Sequence, residues 1–138
     1  MAIREEILTQ ERFLLRYGPE VLPAAVAVER EVLGADYGGT GYTTREEADQ
    51  LAVVLGLTAD HRLLDLGSGC GWPGLYLTRT TGCTTVLTDL SLPAMQRARR
   101  RAREESTQAR AAVVVASARH LPFRPECFDA IVHTDVLC

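Results

Sequence analysis

Residues 62 to 76 read Arg62-Leu63-Leu64-Asp65-Leu66-Gly67-Ser68-Gly69-Cys70-Gly71-Trp72-Pro73-Gly74-Leu75-Tyr76. A short apolar run gives way to four glycines within eight residues and then to an apolar helical pattern, which predicts strand, glycine loop and helix. Glycine lets the backbone take positive φ and approach a ligand closely, and the N–H groups opening the next helix are expected to point at that ligand. The stretch is a nucleotide-binding turn. A turn that merely joined strand to helix would not need four glycines, each of which costs stability in a regular element.

Working outward, Thr84 to Asp89 is short and β-branched and predicts a second parallel strand of a βαβ unit, with Asp89 at its end. Asp89 lies eighteen residues beyond Gly71, close to the ~20 expected for an acid that reaches a ribose hydroxyl. Its competing role is a charge at the N-terminus of the next helix, which Ser91 caps. That helix carries Arg97, Arg99, Arg100, Arg101 and Arg103. No aromatic residues interleave them, so a solvated face answered by Glu104 and Glu105 is preferred to a nucleic-acid surface. Ala111 to Ala116 predicts a third strand and Phe128 to Asp135 a fourth.

On the N-terminal side, Ile3 to Tyr17 and a stretch ending at Leu33 have helical spacing, stopped by Gly18-Pro19 and Gly34. Both are expected to lie outside the nucleotide core as ordinary amphipathic helices, a lid over a ligand being the alternative. Ala35 to Thr44 is a loop with three glycines and two tyrosines. Thr44 and Glu47 form a capping box for a helix whose buried face is Ala48, Leu51 and Leu55, ended by Gly56. Residues 1–56 thus form a helical segment with a cap loop, and 57–138 the nucleotide-binding core.

Composition sets outer bounds. The 138 residues are 46% hydrophobic and 24% charged, ordinary for one globular domain. No apolar run approaches the ~20 residues of a membrane span and no leader pattern opens the chain, so a cytoplasmic protein without membrane contact is the default expectation. A formal charge of -3 argues against general nucleic-acid binding. Cys70, Cys83, Cys127 and Cys138 have no C-x-x-C spacing, so free thiols are expected rather than a metal or redox site.

Gly69, Gly71 and Gly74 fit the G-x-G-x-x-G of dinucleotide binders, whereas Asp65, Gly67, Gly69 and Gly71 fit D-x-G-x-G-x-G. The second pattern resembles motif I of the class I S-adenosylmethionine-dependent methyltransferases. A carboxylate at the strand end gains little from a pyrophosphate but favours a methionine ammonium or a sulfonium, so Asp65 supports the methyl-donor reading. Leu121-Pro122-Phe123 and Phe128-Asp129-Ala130-Ile131-Val132 match two further motifs of the small-molecule type. With Asp65 to Gly71 and Asp89, four motifs occur in the family's order.

The resemblance implies an α/β fold, a Rossmann-like three-layer sandwich whose parallel sheet has strand order 3-2-1-4 here, where the family continues 3-2-1-4-5-7-6. It implies S-adenosylmethionine as cofactor and a small-molecule acceptor. Gly67, Ser68, Gly69 and Gly71 would follow the methionine and adenosine path, Asp65 the amino group, Asp89 the ribose, Leu90 the adenine face, and Ser117 and Ala118 the adenine edge. Ser117 stands where the family has an acid. Tyr42 of the cap loop would stack on or hydrogen-bond the donor, its competing role being packing. His133 and Asp135, after the fourth strand, are candidates to orient or deprotonate an acceptor; ordinary satisfied residues are the competing reading.

The chain stops after strand four, so a truncated or partner-completed fold is expected, with the apolar strand-four edge covered by a second copy or a partner chain. The alternatives to catalysis are a donor-binding module without activity and, less favoured, a nicotinamide-dependent oxidoreductase.

Overall fold

The computed structural model describes residues 4–18, 21–39 and 41–136. Ile3, Pro19, Thr40 and Cys138 of the readings above lie outside the described residues. The elements run α1 (Arg4–Arg16), α2 (Pro23–Leu33), α3 (Arg45–Val54), β1 (Arg62–Leu66), α4 (Gly74–Thr81), β2 (Thr84–Asp89), α5 (Leu92–Glu104), β3 (Ala111–Val115) and β4 (Ala130–Val132). The four strands are parallel in the order β3-β2-β1-β4, as the sequence predicts.

Local chemistry explains most boundaries. Thr44 accepts from the Glu47 N–H while the Glu47 carboxylate accepts from the Thr44 N–H, the capping box that starts α3. Ser91 caps α5 by accepting from the Ala94 N–H at 3.3 Å. Gly34 and Gly82, both left-handed, end α2 and α4. Pro73 is the N-cap of α4.

β4 is shorter than the predicted span from Phe128 to Asp135. Asp129 binds the start of β1 twice: its N–H donates to the Arg62 carbonyl at 2.8 Å and its carboxylate accepts from the Arg62 N–H at 2.7 Å. At the other end Asp135 sits at φ 57°, which breaks the extended run.

β1, flanked by β2 and β4, is buried on both faces, with Leu63, Leu64 and Asp65 at 0–1% exposure. One face carries Leu63, Leu77, Cys83 and Val132 with Leu57. On the other, Leu87 meets Leu75, Met95, Ala98 and Ala102, the small alanines letting α5 approach the sheet closely. That second cluster also takes in Tyr17, Ala35 and Tyr37. Phe13 packs partly buried against it and stacks on Tyr17, while neither α1 nor α2 has a buried residue of its own.

Candidate functional site

The glycine turn sits at the C-terminal ends of β1 and β2, where open parallel sheets bind ligands. Five of its amides are already engaged. The Thr88 carbonyl accepts from the N–H groups of Gly67 (2.8 Å) and Ser68 (2.9 Å), and the Ser68 carbonyl accepts from Gly71 (2.8 Å). The Gly69 N–H donates to Asp89 Oδ2 at 2.9 Å and the Gly74 N–H to Asp65 Oδ2 at 2.8 Å. The amides expected to point at a ligand instead face acceptors of the chain itself, two of them carboxylates. A pyrophosphate would meet the Asp89 carboxylate here.

The glycines divide the work. A Cβ on Gly67 would lie 2.5 Å from Val136 Cγ2, and one on Gly69 2.7 Å from Tyr17 Oη, so segments from both ends of the chain close over these two positions. Gly71 faces Leu75 and Ala98 in the core. Its φ is 99°. Ser68 is likewise turned inward, its hydroxyl 3.5 Å from the Thr88 carbonyl.

Asp65 is fully buried, and its Oδ1 has no hydrogen-bond partner among the described residues. Burial pushes its carboxyl up to about 8, with the Gly74 N–H opposing and the Asp89 charge adding to the rise. An orphaned, buried acid oxygen fits a cationic group, whose approach would restore the ionised form. Without ligand, the folded chain holds a proton that the unfolded chain releases near pH 3.9, so stability falls as pH rises between about 4 and 8. Asp65→Asn keeps the shape and removes this titration. In urea unfolding at pH 5 and pH 8.5, the wild type should lose on the order of 3 kcal/mol more than the variant. Parallel pH profiles would contradict the buried acid.

Asp89 stands at the rim, its Oδ1 accepting from the Ser91 N–H at 2.9 Å and its Oδ2 from Gly69. A carboxylate has about four acceptor positions, so each oxygen retains one for a hydroxyl donor. Beyond it, Leu90, Ser117, Ala118 and Arg119 form the floor of a cleft of about 510 Å³ whose roof is Glu5, Glu6, Leu8 and Thr9 of α1. α1 is fastened along this cleft. Gln10 Nε2 donates to the Leu90 carbonyl at 3.5 Å, Ser117 Oγ donates to Glu6 Oε1 at 2.5 Å, and Arg119 pairs with Glu5 at 3.4 Å. α1 therefore lies across this cleft. Tyr17 and Glu6 had no local sequence signal beyond their helical stripe.

A family model described as a methyltransferase domain matches residues 63–138. The chain belongs to this family. It is 37% identical over 83 residues to Methyltransferase GfsG of Streptomyces halstedii, covering 60% of this chain and 30% of that protein. It is 33% identical over 86 residues to a glycine/sarcosine/dimethylglycine N-methyltransferase of Actinopolyspora halophila, covering 62% of this chain and 15% of that protein. The methyltransferase domain thus spans under a third of the length of either curated relative. Among solved structures, a SAM-dependent methyltransferase from Thiobacillus denitrificans in complex with S-adenosyl-L-homocysteine superimposes with a TM-score of 0.59 at 29% identity, covering 65% of this chain and 36% of that one.

In this methyltransferase domain the remaining candidates fall away from the cleft. Tyr42 is 74% exposed, its N–H donating to Asp135 Oδ2 at 2.9 Å. The same oxygen accepts from the Thr43 N–H (3.2 Å) and hydroxyl (2.9 Å), so Asp135 pins the cap loop to the end of β4. His133 is exposed. Tyr37 is buried against Trp72, and its hydroxyl donates to Glu105 at 2.8 Å. Trp72 Nε1 in turn donates to the Thr43 carbonyl at 2.8 Å.

On α5, Arg101 pairs at 2.6 Å with both Glu105 and Asp36, while Arg97 donates to the Gly18 carbonyl. Burial holds the Cys70 thiol up at about 11, so it packs as a neutral group. The described residues contain no cluster of metal-ligating side chains and no helix long and apolar enough to cross a membrane.

Proposed function

We propose that the chain forms the donor site of an S-adenosylmethionine-dependent methyltransferase acting on a small molecule. The observation that carries the reading is the pair of carboxylates, Asp65 and Asp89, that occupy the amides of the glycine turn. They suit a ligand with a cationic amino-acid end and a ribose, and neither supplies the donors that a nicotinamide cofactor's pyrophosphate would need. The donor, when bound, supplies a methyl group on a positively charged sulfur.

Asp65 would balance the ammonium, Asp89 would accept from the ribose hydroxyls, and Leu90, Ser117 and Ala118 would hold the adenine. α1 would exclude water from the cleft, and with in-line placement of an acceptor this supplies much of the rate in such transfers. His133 and Asp135 are proposed to act on the acceptor only if the cap loop releases Asp135. The small-molecule class is supported by the Leu121-Pro122-Phe123 motif and by the likeness to a glycine/sarcosine/dimethylglycine N-methyltransferase.

A thermal melt tests the donor site. S-adenosylhomocysteine at a hundred times its Kd should raise the melting temperature by roughly 8 °C, and NADH should leave it in place. A rise with NADH alone would replace the reading with the oxidoreductase one. We also read the outer strand β4, whose Ile131 is 56% exposed, as a pairing edge for a second copy or a partner chain. Light scattering at increasing concentration should then give a mass above that of one chain.

A further inference from the structure

We propose that the outer face of α5, with the cleft at its N-terminal end, docks an acidic helix of another protein. The proposal does not depend on the donor-site reading. At about 3.6 residues per turn, Arg99, Arg100 and Arg103 fall on one stripe with Leu92 and Gln96, opposite the alanines Ala94, Ala98 and Ala102 that α5 buries against the sheet. This stripe is unanswered. Glu105, expected to balance it, is taken by Arg101 at 2.6 Å and by the Tyr37 hydroxyl at 2.8 Å. The guanidinium groups of Arg99, Arg100 and Arg103 have no ion pair or hydrogen bond among the described residues, and neither has the Glu104 carboxylate. Three exposed cations thus share roughly 10 Å of helix. Like charges three or four residues apart repel, and a partner's carboxylates would turn that repulsion into pairing.

The cleft supplies an apolar anchor point. A cavity of about 320 Å³ opens between Leu14 of α1 and Pro93, Gln96, Arg97 and Arg100 of α5. Leu14 and Leu92 are 51% and 54% exposed, so apolar surface adjoins the basic stripe. Arg97 donates to the Gly18 carbonyl and holds the end of α1 beside α5, which leaves Arg100 free to pair. An apolar socket continuous with spaced guanidiniums fits a helix that inserts one apolar side chain and lays its acids along Arg99, Arg100 and Arg103. A nucleic acid fits less well, because α5 has no aromatic ring on which bases could stack and the chain's formal charge of -3 repels a polyanion. A membrane surface fits less well too, since the apolar face of α5 is spent on the core.

The test is fluorescence anisotropy with a labelled synthetic helix, an alanine-rich peptide of roughly 18 residues carrying one leucine near one end and glutamates at every third or fourth position beyond it. The chain should bind it with a Kd of roughly 10 µM at ~0.05 M salt, and ~10-fold more weakly at ~0.5 M. A peptide with glutamine in place of every glutamate should also bind ~10-fold more weakly. Arg99→Gln, Arg100→Gln and Arg103→Gln combined should cost the acidic peptide ~10-fold in a chain that still melts cooperatively, these side chains being exposed. Arg124→Gln, an exposed arginine outside α5, should cost nothing. Equal affinity for the two peptides, undiminished affinity in the triple variant, or no binding by the folded chain would overturn the proposal. Tighter binding of an oligouridylate, or of phosphatidylserine vesicles, than of the acidic peptide would assign the stripe to nucleic acid or membrane and overturn it as well.

Discussion

Asp89→Ala should weaken S-adenosylhomocysteine binding by about 100-fold or more, read by calorimetry on a variant that still melts cooperatively. The size follows from two losses that act together. The carboxylate would accept from ribose hydroxyls, and hydrogen bonds to a charged acceptor contribute roughly 1.5–3 kcal/mol each. It also fixes the turn, since the Gly69 and Ser91 N–H groups both donate to it at 2.9 Å. Alanine leaves those donors without an acceptor, so the loop that must shape the ligand path relaxes. Asp89→Asn retains one carbonyl oxygen and should lose about tenfold. Wild-type affinity in the alanine variant would remove Asp89 from the site.

Gly74→Val should unfold the domain or lower its stability by at least ~3 kcal/mol, a large share of the 5–15 kcal/mol typical of a domain. Gly74 has no conformational need for glycine; the constraint is space. A Cβ there would lie 2.5 Å from both Asp65 Oδ2 and Leu87 Cδ2 and 3.0 Å from Asp65 Cβ. Both neighbours are fully buried, so neither can swing aside. α4 would have to lift from the sheet, breaking the 2.8 Å bond from the Gly74 N–H to Asp65. Gly56→Ala is the contrasting case: its Cβ meets nothing within 4 Å and its φ of 58° costs about 1 kcal/mol. Chemical denaturation of the two variants should separate them clearly, and equal losses would contradict the packing argument.

What was legible in the sequence was local. Arg62–Leu66 and Thr84–Asp89 announce themselves by short apolar or β-branched runs, and both strands have these bounds. Thr44 with Glu47, Ser91, Gly34 and Gly82 are capping signals whose geometry is confined to a few residues. What escaped depends on contacts between distant segments. The bond from Ser117 to Glu6 and the approach of Tyr17 to Gly69 arise when α1 lies across the sheet ends, and an amphipathic stripe does not say what it will cover. The direction of the amides of Gly67, Ser68 and Gly69 is illegible for a related reason: their acceptors, Thr88 and Asp89, belong to the neighbouring strand. β4 was overextended because Phe128, Asp129 and Asp135 look strand-like in sequence, while Asp129 and Asp135 are used to tie β1 and the cap loop.

Calorimetric titration of the chain with S-adenosylhomocysteine and, separately, with NADH tests the central claim most directly. The two carboxylates at the glycine turn predict one-to-one binding of S-adenosylhomocysteine in the micromolar range and no heat with NADH. Binding of NADH with none of S-adenosylhomocysteine would contradict the account.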